Sequence, residues 1–391
     1  MRLRSCVSSL RGTQARKVPL KMSGQINGKV ILLGCGDVGP IHEPLEPFSS
    51  LVRPTLQQAD VRVAQCERVY SDRGALQVHS GGGHSRVPPR MISVFSDCSF
   101  DVVSLASNHA MDWGEDALMD TIAALQERGI QAIGAGRNLA EARQPAIIER
   151  NGVKVAILAY CSVVREGYAA GSDKAGVAPL RAHTYYEAME YQPGTPPRVI
   201  TVPFEEDLEA MLEDVAEARK QAHIVALWLH WGIHFIPRTV ADYQRAIARA
   251  AFAGGVDMVL GHHAHVPKGI EVIDGKACFY SLSNFIMSAP ASPSGARASH
   301  FVKRYGVELD PDYPRLPYGV DSKRSLIARA ELSTTGVDRV SFLPVLIDKE
   351  LRPEVLHQGD ARFDDAVCYM DWASEDFEHE FKVEGDEIVV S

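Results

Sequence analysis

Three histidines within four positions are the residues of this chain best suited to chemistry. His262, His263 and His265 follow an apolar run at residues 256–260 that ends in Gly261. Such a run, rich in β-branched residues, is typical of a buried strand, and imidazole is the most common metal ligand at neutral pH. If the chain stays extended, His263 and His265 project to the same side. The cluster therefore predicts a metal site at a strand end, in preference to a solvated loop.

Other predicted strands also end in polar side chains. They supply carboxylate, amide and imidazole groups, on Asp37, Glu67, Asn108, His109 and His230. Taken alone, Asp37 is more simply interpreted as a turn residue. Together these donors form a hard-to-borderline ligand set that suits Mn²⁺, Fe²⁺, Zn²⁺ or Mg²⁺. Two ions about 3.5–4 Å apart would need a bridging carboxylate, and Glu67 is the candidate.

Strands and helices alternate along the chain, and this pattern predicts a layered α/β fold. Apolar residues at helical spacing predict helices at 51–58, 116–128, 205–221 and 242–252. Apolar runs predict strands at 29–33, 60–67, 100–106, 153–160, 224–229, 325–332 and 337–347, and a hairpin at 269–280. Two irregular insertions interrupt the pattern. The one at 164–203 is expected to form a wall or lid of the site, and the one at 288–325 a surface loop or a source of cationic substrate contacts.

Composition limits the classes of function. A net charge of -9 provides no basic field for nucleic acid or an anionic membrane surface. The seven cysteines are scattered and mostly lie in apolar runs, so we expect reduced core residues in a cytoplasmic protein. No uncharged apolar stretch reaches the ~18 residues of a membrane span. The sequence does not specify an oligomeric state.

The two ends of the chain differ from its middle. Residues 1–27 are predicted to form a disordered basic tail, and residues 28–350 the main domain. Residues 351–391 are expected to form an acidic C-terminal extension with no recognisable functional motif. The candidate site residues all lie in the main domain.

Seven short motifs occur in a specific order. They are Gly36-Asp37, Glu67 with residues 71–74, residues 107–114, residues 134–138, His230-Trp231-Gly232, residues 261–266 and residues 280–285. Over roughly residues 28–290 this order resembles the CapA branch of the calcineurin-like metallophosphoesterase superfamily, named for bacterial capsule and poly-γ-glutamate assembly. The resemblance implies a four-layer α/β sandwich of the metallo-dependent phosphatase type, with metals at the strand ends.

The resemblance also implies a role for each matching residue. Asp37 and His265 would bind a first metal, and Glu67 would bridge two metals. Asn108, His230 and His263 would bind the second metal. His109, next to a ligand, would be the general acid/base. The cofactor is then a divalent metal, most simply Mn, Fe or Zn, as one or two ions.

Three positions depart from the family pattern. Gly39 stands where the superfamily usually has histidine, so the first metal site lacks a ligand. Gln65 replaces an expected asparagine. His234 stands where CapA-like proteins commonly have glutamate, and it is either a titratable group near the metal or a partly exposed loop histidine. Whether His262 replaces His263 as a ligand stays open.

These observations predict a soluble metal-dependent enzyme for a peptide, a poly-γ-glutamate-like polymer, another acidic substrate or a phosphoester. It would combine metal Lewis-acid and histidine acid/base chemistry. One alternative is a peptide Cα epimerase that uses His109 and His234 as its proton-transfer pair. Another is a non-catalytic accessory protein of polymer assembly. His109 favours an enzyme, because a purely structural metal site does not need a free imidazole beside its ligands.

Overall fold

The computed structural model describes residues 28–80, 85–291 and 296–391. The predicted basic tail at residues 1–27 lies outside the described residues. So do the glycine-rich residues 81–84 and residues 292–295.

Strands make up most of the regular structure. In chain order they are β1 (Val30–Gly39), β2 (Val61–Cys66), β3 (Val69–Tyr70), β4 (Arg86–Val87), β5 (Val102–Ser104), β6 (Gln131–Ile133), β7 (Ala135–Gly136), β8 (Ala146–Arg150), β9 (Val153–Cys161), β10 (Gly176–Val177), β11 (Ala182–Glu187), β12 (Arg198–Pro203), β13 (Ile224–His230), β14 (Met258–His262), β15 (Ile270–Ile273), β16 (Lys276–Phe279), β17 (Asn284–Met287), β18 (Arg324–Ser333), β19 (Gly336–Ile347), β20 (Pro353–Val355), β21 (Phe381–Glu384) and β22 (Glu387–Val390).

The helices lie between these strands. They are α1 (Glu46–Ser49), α2 (Arg53–Leu56), α3 (Ser93–Asp97), α4 (Gly114–Gln126), α5 (Leu139–Ala142), α6 (Glu205–Arg219), α7 (Asp242–Ala253), α8 (Ala296–Tyr305) and α9 (Ala361–Ser374), with a 3-10 turn at Pro89–Ile92. Every helix in the described ranges is too short or too polar to cross a bilayer.

Two large mixed sheets form the centre of the fold. The first has the order β21-β22-β19-β18-β1-β2-β5-β6, with β17 also beside β1 and β20 beside β19. Its strands β1, β2, β5 and β6 run parallel. The second sheet has the order β15-β16-β14-β13-β9-β8, and β9, β13, β14 and β16 run parallel. Each sheet thus gathers the carboxyl ends of several strands at one edge.

The sheets pack face to face, and helices cover their outer sides. Along β13, Trp228 faces the core shared by the two sheets, whereas Leu227 and Leu229 face the core under α6 and α7. This alternation is expected for a strand buried on both faces. Helix α4 packs against the first sheet through a buried stripe that includes Leu118 and Leu125. The architecture is the predicted four-layer α/β sandwich.

Gly34 allows the two sheets to approach closely. A Cβ atom at this position would lie 3.0 Å from Leu260 Cδ1 and 3.2 Å from Trp228 Cη2, both in the opposite sheet. A larger residue in β1 would therefore push these side chains away. The close approach brings the end of β1 near the ends of β13 and β14.

The two irregular insertions contain more regular structure than the sequence predicted. The segment at 164–203 carries the antiparallel hairpin of β11 and β12, whose side chains are largely exposed. The segment at 288–325 contains helix α8. The sequence did not reveal these elements, because glycine, proline and charged residues within each segment hid its short periodic stretch. Residues 353–390 extend the first sheet, since β20 and β22 both pair with β19.

Candidate metal centre

The candidate residues come from both sheets and meet where their parallel strands end. Asp37 lies near the carboxyl end of β1 and is fully buried. One of its oxygens, Oδ1, is 3.2 Å from Nδ1 of His262, the last residue of β14. The other oxygen, Oδ2, is 3.4 Å from Nδ1 of His265. The interface between the sheets therefore joins a carboxylate of one sheet to imidazoles of the other.

Three side-chain donors converge around one nitrogen of His230. Its Nε2 is 2.8 Å from Asn108 Oδ1, 3.1 Å from His263 Nδ1 and 3.2 Å from Glu67 Oε1. Ligand atoms that share one transition-metal ion at about 2.0–2.2 Å lie roughly 3–3.5 Å from one another. Each of these three distances from His230 fits two ligands of a single ion. Asp37 is close to the same group, because its oxygen lies within 4.8 Å of donors on Glu67 and His230.

Several buried polar atoms at this place have no hydrogen-bond partner among the described residues. They include Asp37 Oδ2 and Glu67 Oε1. Burying such atoms without a partner costs free energy, and ionised groups cost the most. A divalent cation would compensate the two carboxylates and use the lone pairs directed at it. The residues present thus fit the predicted metal, and their assignment as ligands stays a prediction.

The pKa values of the carboxylates and imidazoles in the cluster suit a cation-binding site. Burial, followed by the charge of Asp37, raises the pKa of Glu67 to about 8. Burial also raises the pKa of Asp37 well above its ordinary value. Burial and neighbouring imidazoles hold the pKa values of His230 and His263 well below the ordinary range. Both histidines are therefore neutral at pH 7, as metal ligation requires.

Asn284 orients His265, a role that the sequence did not reveal. Its Nδ2 donates to the backbone carbonyls of His265 at 3.1 Å and Ser322 at 3.0 Å. Its Oδ1 must then accept, and it lies 2.8 Å from His265 Nδ1. This pattern assigns the ring proton to Nδ1 and leaves Nε2 with its lone pair. The only sequence signal was the position of Asn284 inside the motif at 280–285.

The histidine cluster does not use the extended geometry that the alternating pattern suggested. Strand β14 ends at His262, and the next residues turn sharply, with φ of 87° at His263 and 56° at His265. Left-handed backbone is uncommon for residues with a side chain and is often found at functional sites. Both rings still reach the cluster, although by a turn of the backbone. His263 faces His230, whereas His262 faces Asp37 and stacks on Trp228 with a ring separation of 4.6 Å.

His109 forms a pair with a carboxylate that the sequence reasoning missed. Its Nδ1 lies 2.6 Å from Oδ2 of the buried Asp112. The other oxygen of Asp112 accepts from the Tyr168 hydroxyl at 2.8 Å and from Arg165 at 3.3 Å. Burial raises the pKa of Asp112, but hydrogen bonds led by that from His109 outweigh it and leave the pKa lowered. An ionised Asp112 fixes the proton of His109 on Nδ1, so Nε2 is available for proton transfer.

The structure shows where the three residues that depart from the family pattern lie. His234 is half-buried, and its ring centre lies 3.8 Å from that of His263. Gln65 donates to the carbonyls of Cys66 and Ala106, each at 3.2 Å, and so holds β2 to the segment after β5. Gly39 lies against the side chain of Arg68. Of these residues, His234 is thus the one that touches the histidine cluster.

A two-sheet α/β sandwich with carboxylate, amide and imidazole groups at adjoining strand ends defines a protein of metallophosphoesterase-type fold. The chain belongs to the family described as bacterial capsule synthesis protein PGA_cap, whose family model matches residues 22–289. The matched range contains every predicted ligand. This membership confirms the expected CapA-like branch.

Named relatives agree with the family match. The chain is 32% identical over 204 residues to "PGA biosynthesis protein CapA" of Bacillus subtilis (strain 168), covering 52% of this chain and 47% of that protein. It is 30% identical over 205 residues to a "probable polyglutamine synthesis accessory protein" of Mycobacterium tuberculosis (strain CDC 1551 / Oshkosh), covering 51% and 49%. The chain therefore spans about half the length of the curated relatives it matches.

Among solved structures, the chain is similar to the calcineurin-like phosphoesterase YfkN from Bacillus subtilis. The similarity has a TM-score of 0.37 at 12% sequence identity and covers 80% of this chain and 88% of that one. A hypothetical protein from Thermus thermophilus matches with a TM-score of 0.44 at 15% identity, covering 80% and 98%.

Proposed function

We propose that this protein is a divalent-metal-dependent enzyme acting on a carbonyl or phosphoryl group of an acidic peptide, a poly-γ-glutamate-like polymer or a phosphoester. The observation that carries the proposal is the convergence of Glu67, Asn108 and His263 on Nε2 of His230. A bound ion would act as a Lewis acid toward the oxygen of the reacting group. The buried carboxylates and neutral imidazoles would hold that ion and exclude bulk water from it.

Proton transfer is assigned to His109. Its Nδ1 is held by Asp112, and Asp112 is held in turn by Tyr168 and Arg165. Such a carboxylate keeps the imidazole in one tautomer and stabilises the imidazolium that forms when Nε2 accepts a proton. The side chain of His109 is 17% exposed. A substrate proton can therefore reach it from the open side.

The substrate class follows from the relatives' names and from the site itself. The Bacillus relative is named for the biosynthesis of PGA and the Mycobacterium relative for polyglutamine synthesis. Arg165, whose side chain is 23% exposed, lies beside Asp112 and favours a negatively charged substrate. We therefore place acidic peptides and polymers ahead of neutral ones.

A second candidate is Cα epimerisation of a peptide, and one geometric observation favours it. His109 follows β5 of the first sheet and His234 follows β13 of the second, so each sheet contributes one imidazole beside the ligand cluster. Epimerisation needs one base to remove the Cα proton and a second acid to return a proton to the opposite face. Lewis-acid polarisation of the adjacent carbonyl would acidify that proton. The Cα–H bond is the only covalent bond to carbon that is broken and re-formed in this reaction.

One experiment separates these reactions. The metal-loaded protein is incubated in D₂O with poly-γ-glutamate oligomers, α-linked glutamate peptides or a phosphodiester, and the products are analysed by mass spectrometry and chiral chromatography. New termini or released phosphate without deuterium at Cα support hydrolysis. Deuterium at Cα without cleavage supports epimerisation. Substrate binding with neither change, in the presence of a bound ion, contradicts an enzyme and indicates an accessory protein.

A further inference from the structure

Arg68, the residue after Glu67, carries a positive charge into the interior beside the candidate centre. Its side chain is 2% exposed. The Nε atom donates to the carbonyl of Gly39 at 3.2 Å, and Nη2 donates to the carbonyl of Ser288 at 2.9 Å. These bonds fix the guanidinium between the end of β1 and the segment after β17. The arginine is therefore held in one orientation.

The hydrogen-bond partners of this guanidinium among the described residues are neutral: the two carbonyls and the hydroxyl of Tyr318. A buried charge without a partner of opposite sign is costly unless nearby charges compensate it. Arg68 lies beside the cluster, because it directly follows Glu67 in the chain and its partner Tyr318 stacks on the ring of His265 with a centre separation of 4.3 Å. The buried carboxylate of Glu67 is therefore an electrostatic counterpart for the guanidinium.

Arg68 also occupies the space into which a side chain at position 39 would point. A Cβ atom on Gly39 would lie 2.8 Å from Arg68 Cγ and 3.1 Å from Met287 Sδ. The first of these contacts is with Cγ, which lies close to the backbone of Arg68 and cannot move away as the guanidinium could. Position 39 is where the superfamily usually supplies a histidine to the first metal. A histidine and the present arginine cannot both fit.

We infer that Arg68 takes the place of the first metal, so that the centre holds one divalent ion and the guanidinium supplies the remaining positive charge. This inference rests on the proposed metal-dependent function. Charge balance supports it. One ion with Arg68 offsets the carboxylates of Asp37 and Glu67 with a small excess of positive charge, whereas a second divalent ion would add a large one among neutral imidazoles. Asp37 and His265 would then not bind a metal of their own.

The test is the number of ions bound per folded chain. Metal-free protein is titrated with Mn²⁺ alone, followed by calorimetry and by electron paramagnetic resonance, which distinguishes an isolated ion from a coupled pair. We expect one ion for the wild type and for Arg68→Met, which removes the charge without restoring a ligand. We expect two coupled ions for the double variant Gly39→His with Arg68→Ala. Arg329→Met, on β18, is the matched control and should keep one ion.

The outcomes separate this inference from the function on which it rests. Two ions in the wild type would overturn the inference and leave a metal-dependent enzyme in place. No bound ion in the wild type would overturn both. A folded double variant that still binds one ion would show that Arg68 and Gly39 do not set the number of metals. If the double variant does not fold, the wild-type titration still decides between one ion and two.

Discussion

Replacing Glu67 by glutamine is expected to change how the stability of the metal-free protein depends on pH. Glu67 is fully buried, and burial together with the charge of Asp37 raises its folded-state pKa to about 8 from an ordinary value of 4.5. A group with a raised pKa contributes stability that is fully present below its unfolded pKa. That contribution is lost as the pH rises through its folded pKa.

The size of the effect follows from these two values. Between pH 5.5 and 7.5 the folded protein keeps the proton of Glu67, whereas the unfolded chain has released it. The free energy of unfolding then falls by about 1.4 kcal/mol per pH unit, or ~2.7 kcal/mol over this window. Buried histidines act with the opposite sign. His262 and His265, whose pKa values burial lowers to about 3, make the protein more stable as the pH rises toward 6.5.

Comparing the wild type with Glu67→Gln isolates the contribution of Glu67 to the pH dependence of stability. Urea unfolding in the presence of a chelator is measured from pH 5.5 to 7.5 for the wild type and Glu67→Gln. We expect the free energy of unfolding of the variant, relative to the wild type, to rise by ~2.7 kcal/mol across the window. Glu331→Gln, at a side chain that is 27% exposed, serves as the control and should follow the wild type. If the free energy of unfolding depended on pH in the same way for Glu67→Gln and the wild type, the pKa of Glu67 would not be raised in the folded protein.

Three further predictions concern activity and the core. Asp112→Asn should lower turnover by about 10²–10⁴-fold with unchanged metal content, because His109 loses the carboxylate that fixes its tautomer; steady-state kinetics with metal analysis checks this. His230→Ala should abolish turnover, because its Nε2 is a proposed metal ligand, but it should keep the circular dichroism spectrum, since the side chain lies at a strand end; wild-type rates would remove this assignment. Trp228→Ala should cost ~3–5 kcal/mol in urea unfolding, because this ring is fully buried between the sheets.

The layered fold and the convergence of the strand ends could be predicted from the sequence for a physical reason. Parallel strands of a sheet share one edge for their carboxyl ends, so polar residues that follow buried strands come together. The hydrophobic runs before Glu67 and His263 were long enough to reveal this. The observed strands differ from the predicted ones mainly at their ends. Strand β1 continues to Gly39, because Gly36 lets the chain pass the Ser283 carbonyl, which would lie 2.1 Å from a Cβ atom.

What the sequence did not reveal depends on side-chain placement across long separations. The left-handed backbone of His263 follows from packing between two sheets and has no local signal. Asp112 was read as part of a motif, and its contact with His109 becomes visible only when the turn after β5 is formed. Sequence reasoning did not single out Arg68. Its burial against Gly39 could not be predicted, because Gly39 ends β1, Arg68 follows β2, and their contact depends on the register of these two strands.

The most direct measurement is anomalous diffraction at the manganese edge from crystals of the protein prepared with Mn²⁺. We expect one strong peak about 2.0–2.2 Å from Glu67 Oε1, Asn108 Oδ1, His230 Nε2 and His263 Nδ1. Crystals of His263→Ala should lose most of that peak. The absence of a peak among these four atoms in the wild type, or an ion bound at a different group of residues, would contradict the proposed metal centre.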